Sequence, residues 1–239
     1  MPNIGVLLVL ILVAAIPAVG VFLWFRLARY PFSSPRFLIF LFAGATAIFP
    51  ALLLQYFIAS TGIFPPPLDR TGLFLGIFVR VAFAEELGRV LTLIPLFAVF
   101  HRLNLWKAPL EAGVSADTMG KVSGLVAGIG FGIFESALFG VYYGAAYPFA
   151  HVLLRAVTAT PLHAACGSRV GSSVMIFREK PALAVFRFFS AVAIHGIYNL
   201  LIITPGGFTP WIAIFVAFSA LASSVQAIIR GTRAEDDER

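Results

Sequence analysis

The sequence predicts an all-α fold, a bundle of about seven transmembrane helices, and three observations predict it. Hydrophobic residues make up 60% of the 239 and charged residues only 12%, against about 25% charged in a typical soluble domain. Mean hydropathy is +0.95. Several apolar runs are longer than the roughly 18 residues a helix needs to cross a bilayer core. The chain is too short for a membrane domain and a sizeable soluble domain together. Residues 1–230 therefore read as one transmembrane domain, with 231–239 as a short charged tail.

The first span is Ile4–Phe25. Met1 to Gly5 hold no Lys or Arg, so the basic region of a signal peptide is missing, and the run is long for a signal core. It reads as a retained helix. The second span is Phe37–Ser60. The third, Gly72–Phe100, is long and is expected to tilt or kink. The fourth, Val122–Tyr143, follows and overlaps a stripe of small residues: Gly120, Gly124, Gly128, Gly132, Ser136, Gly140 and Gly144. Such a stripe lets another helix approach closely in lipid and puts this span at the centre of the bundle, ahead of a homodimer contact. In the fifth, Phe149–Ile176, Pro161 is expected to kink the helix just before His163. Leu183–Ile203 and Pro210–Ile229 complete the set, and Ala234-Glu-Asp-Asp-Glu-Arg239 reads as a solvated, disordered end.

The connections alternate in charge. Arg26, Arg29 and Arg36 follow span one; Arg102, Lys107 and Lys121 follow span three; Arg169, Arg178, Lys180 and Arg187 flank the fifth connection; Arg230 and Arg233 follow the last span. The intervening connections hold Asp69 and Arg70, or no charge around Ala145–Pro148 and Thr204–Thr209. Basic connections stay in the cytoplasm, so the N-terminus is expected outside and the C-terminus inside a multi-pass cell membrane protein. The net charge of +6 is thereby a topology signal, not a sign of nucleic acid. A single cysteine, Cys166, excludes an intrachain disulfide or thiolate metal cluster and reads as a small packing residue. No phosphate loop, nucleotide motif or nucleic-acid module is present.

Ionisable groups in mid-membrane are costly and ask for a reason. Four consecutive spans carry them: Glu85, Glu86 and Arg89; Glu135 and Ser136; Arg155 and His163; His195 and Asn199. Glu85, Glu86, Glu135, His163 and His195 each lie about 18–21 Å of helical rise from the start of their own span. The spans run in alternate directions, so all these positions fall near one plane. Arg89 reaches Glu85 or Glu86 at helical spacing, and the two acids diverge around the axis, which suits separate jobs. His195 and Asn199 share a face, where Asn199 can bond His195 or hold a substrate carbonyl or oxyanion. Arg155 lies nearer the outer side, where it can snorkel. His101 and His151, near span ends, read as interfacial packing. A carboxylate beside histidine can act as general base toward water. Alternatively, two histidines and a glutamate (His163, His195 and Glu135) can bind zinc and so activate water. The soluble zinc signature H-E-x-x-H is absent.

The order Glu85-Glu86-x-x-Arg89, Phe131-x-x-x-Glu135, His163, His195-x-x-x-Asn199 resembles the PrsW family of intramembrane proteases, itself similar to the CAAX prenyl protease and bacteriocin-processing superfamily. The resemblance covers residues from about Gly72 to Leu201 and implies a catalytic core over about 72–204. It implies an intramembrane endopeptidase with Glu85, Glu86, Glu135, His163 and His195 as catalytic positions and Arg89, Asn199 and Arg155 in support. It implies a membrane-anchored protein substrate such as an anti-sigma factor-like regulator. The family usually has Lys at the position of Arg89 and often Asn at that of Ser136. Two other classes accommodate the same residues: a proton-coupled transporter, which uses mid-membrane Glu and His as relays, and a non-catalytic scaffold on the protease fold. No inverted repeat, the usual transporter sign, is visible.

Overall fold

A computed structural model of the chain describes residues 4–28, 30, 32–62, 70–107, 113–143, 147–204 and 206–236. Helices dominate, and no strand occurs among the described residues. They fall into seven rods. The first is α1 (Ile4–Ala14) continued by α2 (Ile16–Leu27), and the second is α3 (Ser34–Thr46) continued by α4 (Ile48–Ser60). Each is interrupted at a single residue, Ala15 or Ala47. Pro17 and Pro50 account for the interruptions, because neither can donate the amide hydrogen that closes a turn four residues back. The third rod is α5 (Arg70–Leu75), a π-helix (Gly76–Phe83) and α6 (Ala84–Arg102). The rest are α7 (Ala116–Tyr143), α8 (Pro148–Ile176), α9 (Pro181–Ile203) and α10 (Thr209–Asp236).

Five rods are long and apolar enough to cross a membrane: Ile4–Leu27, Ser34–Ser60, Ala116–Tyr142, Pro181–Ile203 and Thr209–Thr232. The other two, the third rod and α8, carry Glu85, Glu86 and Arg89, and Arg155, His163 and Arg169 in their interiors. These are the charges that lower their apolarity.

The centre of the bundle is α7. Of its spanning window 72% is buried, against 17% for the first rod. The small-residue stripe is what allows this. A side chain on Gly124 would run into the Gly167 carbonyl of α8, and one on Gly128 into the His163 carbonyl. The reciprocal holds, with Gly167 facing Gly124 and Gly171 facing Gly120. The stripe therefore seats α8 inside the same chain, backbone on backbone, where dispersion replaces the hydrophobic drive missing in lipid. On another face, Gly130 sits against the Leu41 carbonyl of α3. Aromatic packing of Phe40, Phe97, Phe100 and Trp106 ties α3 to α6.

Several boundaries differ from those expected. α7 starts six residues early, at Ala116, because Asp117 is satisfied inside the protein: it pairs with Arg187 of α9, accepts from Ser172 of α8, and bonds Lys121 at 3.0 Å. Pro161 lies within an unbroken α8. The last helix runs on to Asp236, so much of the tail expected as disordered is helical. Arg29, Asp69, Gly144, Ala145, Pro205 and Arg239 lie outside the described residues.

Candidate active site

The π-helix delivers the first acids. Its wider turns, closed by i→i+5 bonds, are rare and concentrate at functional sites. It ends at Phe83, and Glu85 and Glu86 follow in the first turn of α6. Gly196, beside His195 on α9, leaves room for the ring of Phe78 from the π-helix; any side chain there would strike it. The π-helix and the His195 turn are thereby locked together.

Every sequence-predicted ionisable residue of the site enters one network. Glu86 is fully buried and both its oxygens are engaged: Oε2 by Arg89, and Oε1 by His195 Nδ1 at 2.7 Å. Arg89 also reaches across to His163, its Nη2 lying 2.6 Å from Nδ1. Its guanidinium sits 4.1 Å above the Phe131 ring, a cation–π contact that holds it flat. His163 Nε2 is 2.7 Å from Glu135 Oε2, which also accepts from Arg155 at 2.6 Å. Arg155 lies over Phe139 at 4.0 Å; it is a member of the cluster, not a snorkelling side chain. The two imidazoles meet edge to face, 5.1 Å apart.

Hydrogen-bond chemistry fixes the roles within this network. A guanidinium has only donors, so His163 Nδ1 must present its lone pair to Arg89. The ring proton of His163 then sits on Nε2 and is donated to Glu135. Glu135 is held as an acceptor of two donors. Glu86 orients His195 through Nδ1, leaving Nε2 to point at Glu85. Glu85 Oε2 is buried with no hydrogen-bond partner, as are the Nε atoms of Arg89 and Arg155, and His195 Nε2 lies 3.6 Å from Glu85 Oε2. That separation exceeds a direct hydrogen bond, yet a single atom beside both can contact each. A buried oxygen without a partner costs about 1–3 kcal/mol, so its presence calls for a function.

Gln55 of α4 completes the arrangement. Its Nε2 donates to Glu85 Oε1 at 3.3 Å, which holds that carboxylate while Oε2 stays free. The sequence signal for Gln55 was an amide alone in the apolar run Ile48–Ile58. It is uncharged, so a search for ionisable groups passes over it. Asn199 is half-buried, and no hydrogen bond joins it to the cluster among the described residues. His151 and Cys166 lie outside the network, Cys166 donating to the Ala191 carbonyl at 3.5 Å.

Residues 33–223 match the family model described as PrsW family intramembrane metalloprotease. The chain belongs to the PrsW family. The match spans the network, so the protein is a membrane peptidase, the reading set in the sequence against a transporter or a scaffold. Among curated proteins and among solved structures, nothing matches.

The PrsW family description includes a metal, and the donor set here fits one. Glu85, His163 and His195 are all buried and place ligand atoms within 4.8 Å of one another. A glutamate with two histidines is a common catalytic donor set, and the orphaned Glu85 Oε2 belongs to it. Glu135, expected from sequence as the acidic ligand, is instead bonded by Arg155 and His163. His163 joins such a set through Nε2 only by releasing Glu135.

Proposed function

We propose that the protein is an endopeptidase that cleaves a membrane-anchored protein substrate, with the reaction centred on Glu85 and His195. The observation that carries this reading is the unpartnered Glu85 Oε2, 3.6 Å from His195 Nε2, beside the Glu86 and Glu135 carboxylates, which are both paired.

Glu85 accepts a proton from water as the oxygen attacks the scissile carbonyl carbon. The C–O bond forms, and the carbonyl π pair moves onto oxygen. His195, its Nδ1–H held by Glu86 as the aspartate holds histidine in a catalytic triad, stabilises the oxyanion as an imidazolium, donating from Nε2. The intermediate collapses, the C–N bond breaks, and the proton on Glu85 passes to the leaving amine. Arg89 and Arg155 fix His163 and Glu135 beside this edge, and Asn199, one turn from His195, is placed to meet the substrate carbonyl. A zinc ion, when held by Glu85, His163 and His195, supplies Lewis acidity to water and carbonyl.

The family resemblance supports a single-span regulator of the anti-sigma type as substrate. The alternating basic connections support seven spans in the cell membrane, with the N-terminus outside. The test is cleavage of a labelled single-span peptide panel in proteoliposomes by the wild-type chain and His195→Ala, with metal analysis of the active protein. Cleavage by the wild type and its loss in the variant is expected. Equal cleavage by both overturns the assignment, and chelator sensitivity separates the metal-bound from the metal-free mode.

A further inference from the structure

A cavity of about 860 Å³ lies between α6, α8 and α9, away from the network. On α6 its wall runs through Leu87, Val90, Ile94 and Ala98, and Val185, Phe188 and Phe189 face them from α9. From Leu87 to Ala98 is about 17 Å of helical rise, close to the roughly 15 Å of one leaflet's hydrocarbon. At one end stand His101, Arg102 and Arg178, with Glu179 the single carboxylate among the lining residues. Arg102 and Arg178 are exposed, and neither forms an ion pair among the described residues. At the other end Phe188 meets Phe83 edge to face, with ring centroids 5.8 Å apart. No residue of the catalytic network lines the cavity.

We infer that this groove is a seat for an anionic phospholipid, with an acyl chain along α6 and the phosphate between Arg102 and Arg178. The length matches one leaflet, and the unpaired guanidiniums complement a phosphate at the membrane surface, where basic pockets between helices take anionic headgroups. An extended peptide suits the groove poorly. Its amides need a row of partners that lipid does not supply; apart from the charged end, the wall offers only the indole N–H of Trp106 and the imidazole of His101, since Ser173 already donates to the Ala184 carbonyl. None of the network residues lines the groove, so it is not read as the path that leads substrate to Glu85. A chain seated there presses on Phe188, whose ring touches the residue two before Glu85. The inference is independent of the proteolytic reading.

Trp106 lines the groove and reports on it. The full chain carrying Trp24→Phe and Trp211→Phe is placed in vesicles with phosphatidylglycerol or phosphatidylcholine, each brominated near the head of one acyl chain. Half-quenching of Trp106 is expected at an at least threefold lower mole fraction of the brominated phosphatidylglycerol. The preference is expected to vanish in Arg102→Gln/Arg178→Gln, and quenching by either lipid to weaken when Ala98→Leu fills the groove, with helix content unchanged. Equal quenching by the two lipids overturns the inference. So does relief of quenching by an uncharged apolar transmembrane peptide, which assigns the groove to a protein segment. Glycerol phosphate, which has the head without the chain, is expected not to compete; competition by it reduces the site to a surface anion site and also overturns the inference.

Discussion

Glu85 and Glu86 are adjacent in the chain and have opposite situations. Glu86 is neutralised by Arg89 and bonded to His195, an arrangement that suits an orienting acid. Removing one partner of a buried ion pair leaves the other uncompensated, at a cost of about 3–5 kcal/mol. Glu86→Gln is therefore expected to lower Tm markedly in detergent, a loss read by thermal unfolding; an unchanged Tm contradicts the pairing. Gln55→Leu removes only the bond that orients Glu85, and outer partners of this kind are worth about 10–100-fold in activity. A loss of that size in cleavage with Tm preserved is expected, and Gln55→Asn is expected to restore less than the wild type. The ionisable members of the cluster were legible because charge in a bilayer is costly wherever it stands. Gln55 was not, since a neutral amide gives a weak signal. That Glu85 and Glu86 have separate jobs was legible from their divergence around the axis, but which takes which was not: it depends on which partners α8 and α9 bring across.

At the scale of elements, the contact between α7 and α8 sets the site. Gly128 touches the backbone of His163 itself, so bulk there moves a network residue. Gly128→Leu is expected to destabilise by about 1–3 kcal/mol, the usual cost of overpacking. It is expected to cut cleavage by about 100-fold, as displacements near 1 Å do. Gly20, with nothing near it, is the control: Gly20→Leu is expected to leave cleavage unchanged. Comparable losses in both variants contradict the account. The stripe was legible from its four-residue spacing, but its partner, α8 rather than a second copy, was not. The π-helix left no sequence trace, because i→i+5 bonding is selected by what packs against it, here Phe78 in the space left by Gly196. The early start of α7 was missed because Asp117 and Lys121 look like loop residues until Arg187 and Ser172 pair with Asp117.

For the whole molecule, the fold class follows from hydropathy alone, since few architectures satisfy backbone hydrogen bonds in lipid. Crossing number is harder: the two rods that fall short in apolarity carry most of the site's charges, with Glu135 on α7 the exception. Orientation rests on the alternation of basic connections. A reporter fused after Arg239 is expected to behave as cytoplasmic, and extracytoplasmic behaviour contradicts that orientation. On that expected orientation, Arg102 and Arg178 stand on the cytoplasmic side.

The claim on which the enzyme depends is that one carboxylate, and not its neighbour, meets the substrate. The direct measurement is peptide cleavage by Glu85→Gln in proteoliposomes, with thermal unfolding in parallel. The loss of a general base predicts a fall of about 10²–10⁴-fold while Tm stays near the wild-type value. Cleavage at the wild-type rate by folded Glu85→Gln contradicts the account.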